Sequence, residues 1–171
     1  MRIELDKLDK HGGRFSRTYE TDELSLDDAE LRLIESAEIR GRFRRKGEEV
    51  ELRGELEGKV GAACDRCLQP VEIPVRSEFR ERFVPAVSWR AEPQHELQEE
   101  DLNLAVFDGE AIELDDLVRE ELLLALPVQV LCREDCKGLC PVCGIDRNRC
   151  SCQCETGAAD SRWEGLENLR F

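Results

Sequence analysis

Residues 37–67 read A-E-I-R-G-R-F-R-R-K-G-E-E-V-E-L-R-G-E-L-E-G-K-V-G-A-A-C-D-R-C, and two signals overlap in them. From Ala37 the apolar period is two: Ile39, Gly41 and Phe43 alternate with Arg40, Arg42 and Arg44. Lys46-Gly47-Glu48 supplies a turn, and Val50, Leu52, Gly54 and Leu56 resume the alternation on the return. Successive strand residues point to opposite faces, so this is an antiparallel hairpin with one apolar and one charged face. Gly54, Gly58 and Gly61 along the second strand predict a bend or bulge. The strand runs into C-D-R-C, and the chain emerges in alternation again at Val71, Ile73 and Val75, so Cys64 and Cys67 cap a second hairpin. Phe79, Phe83 and Val84 are expected to close onto the sheet.

Upstream, Ile3, Leu5 and Leu8, a break at His11-Gly12-Gly13, and Phe15, Arg17 and Tyr19 suggest a short strand or two. Thr21 to Asp28 reads as a loop or one helical turn. Downstream, Pro85, Pro93 and an acidic, glutamine-bearing run to Asp101 predict a loop over 85–101. Leu102, Leu104 and Val106 read as a strand, Asp108-Gly109 as a tight turn, and Ile112 and Leu114 as its partner strand. A helix then starts at Asp115 or Asp116, buries Leu117, Val118 and Leu122, and ends at Pro127. Val128, Val130 and Cys132 read as an extended lead into the next segment. Asp160 looks like the cap of a terminal helix with Trp163, Leu166 and Leu169 on one face.

That next segment, C-R-E-D-C-K-G-L-C-P-V-C-G-I-D-R-N-R-C-S-C-Q-C from Cys132 to Cys154, holds seven of the nine cysteines. The N-terminus, M-R-I-E-L-D-K, has no apolar h-region, so export is not expected and a cytoplasmic location is. In a reducing compartment clustered thiols read as metal ligands or redox groups. Tetrahedral zinc needs close cysteine pairs on turns that aim both sulfurs inward. C-P-V-C-G is a strong version of such a turn, with Gly144 allowing amides to reach the sulfurs; C-D-R-C-L is a weaker one, lacking the glycine. Cys132/Cys136 and Cys152/Cys154 are two further pairs. One scheme makes two tetrads, Cys64, Cys67, Cys132 and Cys136, then Cys140, Cys143, Cys152 and Cys154, with Cys150 left over. Its rival is one site of Cys136, Cys140, Cys143 and Cys152 that leaves Cys64 and Cys67 free. Either way the expected cofactor is one or two Zn2+ ions serving as a fold staple.

The net charge of −14 is local rather than uniform. Residues 92–121 carry one basic and 12 acidic groups, a net of −11, whereas the remainder is nearly balanced. An RNA contact is therefore compatible with the composition, without help from the long-range field. The longest apolar run, Leu122 to Val128, is interrupted by Pro127 and is far shorter than the ~20 residues that span a bilayer, so no membrane partner is expected. Arg40, Arg42 and Arg44 share one strand face and suit phosphate contacts. Arg66 either balances the thiolates beside it or faces a partner, and the acidic stretch suits a basic protein. Nothing marks a catalytic site: His11 and His95 fall in predicted loops, and neither G-x-S-x-G nor a phosphate-cradling glycine loop is present.

With C-D-R-C-L-Q-P-V, V-R-E-E-L-L-L-A-L-P-V, C-K-G-L-C-P-V-C-G and the closing D-x-R-W-x-x-L in view, the chain resembles the YceD family over residues 36–84 and 112–171. Those proteins are linked to accumulation of the large-subunit ribosomal RNA. The resemblance implies a cytoplasmic, non-enzymatic ribosome-biogenesis factor that supports 23S rRNA accumulation or 50S assembly by binding. Its partner would be that RNA, a ribosomal protein or an assembly intermediate, with no small-molecule substrate. The family's C-x-R-C falls on Cys64, Arg66 and Cys67, and its terminal motif on Asp160, Arg162, Trp163 and Leu166, which makes Arg162 and Trp163 candidate contacts. A thiol redox or zinc-release switch and a zinc-ribbon interaction adaptor are the alternatives. The expected architecture is α+β: a β-rich antiparallel core over 1–131 with a packed helix and an acidic loop at 85–101, then a Cys-rich zinc-binding segment and terminal helix over 132–171.

Overall fold

A computed structural model of the chain describes residues 2–4, 12–26, 30–90 and 102–154. Strands β1 (Arg2–Glu4), β2 (Gly13–Tyr19), β3 (Arg32–Lys46), β4 (Glu49–Ala63) and β5 (Pro70–Pro85) lead into the short helix α1 (Ala86–Arg90). Strands β6 (Leu104–Phe107) and β7 (Ala111–Glu113) and helix α2 (Leu114–Leu124) follow. The main sheet has the order β2-β3-β4-β5-β6, and β1 pairs with β7 in a small second sheet. This is the strand-rich, largely antiparallel architecture that the alternation predicts.

The long hairpins follow from the sequence. Lys46 pairs with Glu49 across the glycine turn, and the ladder runs back to Arg32 opposite Gly61. The irregularity expected near the glycines lies on the facing strand, as register shifts between Leu33 and Glu35 and between Glu35 and Glu38. Strands β4 and β5 pair from Val50–Phe83 to Ala63–Pro70, which leaves Cys64 to Gln69 as the tip of a long hairpin. Phe79, Phe83 and Val84 belong to β5 itself.

One cross-strand row sets the packing of the sheet. Phe15, Gly41, Gly54 and Phe79 are paired residues on β2, β3, β4 and β5. A Cβ on Gly54 would lie 2.3 Å from the Arg40 carbonyl oxygen and 2.7 Å from the Phe79 ring. The phenylalanine rings thus occupy the space that side chains at the two central positions would need. Helix α2 covers the same face through Leu114, Leu117, Val118 and Leu122, each buried among Ile39, Leu52, Leu56 and Val60. Burying each such side chain contributes roughly 1.5–3 kcal/mol. Polar ties fix the helix in place: the Tyr19 hydroxyl donates to Asp115 at 2.7 Å and the Ser77 hydroxyl to Glu121 at 2.6 Å. Burial, and then the Asp115 carboxylate, hold the Tyr19 phenol well above its ordinary range.

Several expectations need correction. Strands β6 and β7 do not pair with each other across Asp108-Gly109: β6 joins β5 in parallel, and β7 joins β1. The Asp108 carboxylate accepts from the amides of Glu110 and Ala111, so the turn redirects the chain to another sheet instead of folding it back. Leu114 opens the helix, and residues 86–90, expected in a loop, form α1. The segment before Cys132 is irregular and comes from α2, not from a strand, because Pro127 lies just past the helix end. The acidic run 92–101, His11 and the terminal-helix residues lie outside the described residues.

Overpacking at the glycine row is the expected weak point of the sheet. Gly54→Ala should lower stability by about 1–3 kcal/mol, read as a lower urea midpoint; an unchanged midpoint contradicts the close packing described.

Candidate metal centre

Two turns of identical form carry the first cysteine pairs. In the hairpin tip the Leu68 amide donates to the Cys64 carbonyl at 2.8 Å, and the Cys64 amide to the Gln69 carbonyl at 2.8 Å. In the tail the Gly144 amide donates to the Cys140 carbonyl at 2.9 Å, and the Cys140 amide to the Ile145 carbonyl at 2.9 Å. Each turn needs a left-handed residue after its second cysteine. Gly144 supplies it at φ 72°, and Leu68 is forced into it at φ 60°. The missing glycine therefore does not change the turn; a strained leucine, 65 % exposed, takes its place.

The tail is tied to the hairpin tip by backbone and side-chain hydrogen bonds. The Asp65 amide donates to the Val130 carbonyl at 2.9 Å, and the Val130 amide to the Asp65 carboxylate at 2.7 Å. The Leu139 amide donates to the Arg66 carbonyl at 2.9 Å, and the Arg66 guanidinium to the Cys136 carbonyl at 2.9 Å. Gly138, buried at φ 70°, permits this approach, since a Cβ there would lie 2.8 Å from the Arg66 carbonyl oxygen. Arg66 is thus a link between tip and tail.

These ties bring Cys64, Cys67, Cys132 and Cys136 together, with all four sulfurs within 4.8 Å of one another. Cys64 Sγ lies 3.9 Å from Cys136 Sγ, and Cys67 Sγ 3.6 Å from Cys132 Sγ. A tetrahedron with Zn–S bonds of ~2.3 Å has S–S edges of about 3.8 Å. Two of the six sulfur–sulfur spacings thus match such an edge, and none exceeds 4.8 Å. Cys140, Cys143, Cys152 and Cys154 form a second group within the same limit. Cys150 is exposed and belongs to neither. Cys136 and Cys140 lie in different groups, so the structure does not assemble the single-site alternative.

The electrostatics of each group favour a cation at its centre. Burial opposes ionisation of Cys64, but the amides of Cys132, Arg66 and Cys67 outweigh it and bring the thiol down to about 6. Cys132 is pushed up to about 12 by burial and by the neighbouring thiols. In the second group the amides of Cys143 and Val142 lower Cys140 to about 6, while Cys154 is raised to about 12, first by its interaction with Cys143 and then by burial. Four sulfurs this close cannot all be anionic unaided. A divalent ion removes that restriction and releases the protons. Each cluster can therefore hold one metal ion with no ligand position left open.

A residue without a sequence signal supports the first cluster from the second. Asn148, in the loop between Cys143 and Cys152, donates to Cys136 Sγ at 3.4 Å. Its amide group is oriented by the Asp146 carboxylate, which accepts from it at 2.8 Å, and its oxygen accepts from the Lys137 amide and the Arg133 guanidinium, each at 2.8 Å.

The remaining candidates lie elsewhere. Arg40, Arg42 and Arg44 are exposed on the outer face of β3, as expected from their spacing. Arg40 pairs with Glu55 at 3.2 Å, whereas no ion pair to Arg42 or Arg44 forms among the described residues. Arg162 and Trp163 lie outside the described residues.

The strand-rich sheet thus shares one four-sulfur cluster, at its hairpin tip, with the tail, and the tail closes a second cluster by itself; each could hold a metal ion. The chain belongs to the family described as large ribosomal RNA subunit accumulation protein YceD, which it matches over residues 52–170. It is 27 % identical to YlbN of Bacillus subtilis, described as uncharacterized, over 97 % of this chain and 92 % of that protein. Uncharacterized proteins of Mycobacterium bovis and Mycobacterium tuberculosis are 35 % identical over 98 residues, and the match spans 45 % of their length. No solved structure matches the chain.

Two substitutions test the geometry. Leu68→Gly relieves the left-handed strain and should raise stability by about 1 kcal/mol, whereas Leu68→Ala should bring no gain; equal effects contradict a strained turn. Asn148→Ala should weaken metal binding at the first cluster roughly 10–100-fold in a chelator competition while sparing the second. Equal weakening at both sites, or none, contradicts the support role.

Proposed function

We propose that this chain is a cytoplasmic, zinc-stapled factor that supports accumulation of large-subunit (23S) ribosomal RNA, or assembly of the 50S subunit, by binding rather than by catalysis. Family membership over residues 52–170 carries this reading, since the family's description names large-subunit ribosomal RNA. Zinc is the ion proposed for both clusters, because all-thiolate tetrahedral sites select it over harder cations. Four sulfur ligands per site leave no position for a metal-bound water, so the metals are structural. Cys64, Cys67 and Cys136 are buried and Cys132 is exposed, so three of the four ligands of the first site are shielded from oxidant, which disfavours a redox or zinc-release switch. Among the described residues no helix is long and apolar enough to cross a membrane.

Sucrose-gradient fractionation of cell extract tests the reading. The protein should co-sediment with precursor large subunits, and its depletion should lower 23S relative to 16S rRNA. A protein confined to the top of the gradient, with an unchanged rRNA ratio on depletion, contradicts it.

A further inference from the structure

The outer face of the main sheet carries a charge pattern that the register alone reveals. Arg14 of β2 pairs with Arg42 of β3, Arg42 with Arg53 of β4, and Arg53 with Arg80 of β5. Four arginines therefore stand side by side in one row across four strands. With strands ~4.8 Å apart the row is about 14 Å long. Like charges directly opposite each other destabilise a sheet. Where its charges are unpaired, the row therefore costs the sheet stability.

Its surroundings do not neutralise it. Glu51 alone bridges two members, accepting from Arg53 and from Arg80, each at 2.7 Å. Arg14 and Arg42 have no ion pair among the described residues, and neither has Arg44, in the row next to theirs. The two rows on the other side are Ser16–Arg40–Glu55–Glu78 and Thr18–Glu38–Glu57–Arg76, each with one cation and two carboxylates. Positive charge is thus concentrated toward the β3–β4 turn. Arg14, Arg42, Arg44, Arg53 and Arg80 line an open trough of about 1460 Å³.

We infer that this arginine row is a docking surface for the phosphate backbone of double-stranded RNA. Guanidinium groups bind phosphate in a bidentate manner, and a run of them follows a backbone without reading sequence. On the outward positions of β2 to β5 around the row, the side chains are arginine, glutamate, serine and threonine. Phe15, Phe43 and Phe79 also line the trough, but they alternate with the arginines along their strands and Phe15 and Phe79 are buried in the core, so the outward positions present guanidinium groups rather than stacking platforms, which suits duplex RNA held by shape and backbone contacts. The net charge of −14 does not prevent this, because charges beyond ~8 Å are largely screened at physiological salt. The choice of RNA among polyanions rests on the function proposed above.

Anisotropy titrations of the zinc-loaded full chain with a 20-base-pair RNA duplex of arbitrary sequence test the surface. Arg14→Gln/Arg42→Gln should weaken binding at least tenfold, and the slope of log K against log salt should fall by roughly 0.7–0.9 per contact removed. Arg76→Gln, at the other end of the face, should leave both unchanged. Because the double variant relieves like-charge repulsion, its thermal midpoint should hold or rise, which separates lost binding from lost folding. Wild-type affinity in the double variant, tighter binding of single-stranded RNA, or displacement of the duplex by polyglutamate at equal charge would each overturn the assignment. The last of these would mark the face as a dock for an acidic protein segment. Duplex binding through the row without co-sedimentation would uphold the surface and reject the ribosomal reading. Co-sedimentation that survives the double substitution, without duplex binding, would do the reverse.

Discussion

The structure depends on a meeting of sulfurs from distant parts of the chain. Cys64 and Cys136 are 72 residues apart in sequence and 3.9 Å apart at their sulfurs. Among the described residues, the partly buried apolar side chains packed against the first cluster are Val71, Leu131 and Leu139. Backbone hydrogen bonds at Asp65, Arg66, Val130 and Leu139 set the register of tip and tail. A metal ion bound there would fix that register by closing a long loop, which removes conformational freedom from the unfolded chain. The main core, by contrast, is an ordinary sheet-and-helix arrangement built on Ile39, Leu52, Leu56 and the apolar face of α2.

This division explains the placement of the supporting residues. Asn148 belongs by sequence to the loop of the second cluster but serves the sulfur of the first. The two clusters are separated along the chain only by Lys137, Gly138 and Leu139, and Gly138 must stay small for the Arg66 carbonyl to approach. Loss of either cluster therefore removes a neighbour of the other. The sheet's outer face plays no part in this staple, so its arginine row lies outside it.

Much of this was legible in the sequence, for physical reasons. A two-residue period with a glycine turn allows one pairing, so β3, β4 and the C-D-R-C tip could be read directly, as could the cysteine pairs on their turns. Three features could not. The partners of β6 and β7 are chosen by the Asp108 turn and by tertiary packing, neither of which a short apolar run reveals. The left-handed Leu68 breaks the preference that made C-D-R-C-L look like the weaker turn. The row from Arg14 to Arg80 exists only once the register is known: Arg40, Arg42 and Arg44 showed their spacing along one strand, but Arg14, Arg53 and Arg80 carry no sequence signal that aligns them.

The most direct measurement is zinc per chain on reduced, tag-free protein, before and after Cys64→Ser/Cys67→Ser. Two zinc ions falling to one is the expected result, because the hairpin tip contributes half the ligands of one site and none of the other. One zinc ion, unchanged by the substitution, would contradict a metal shared between sheet and tail.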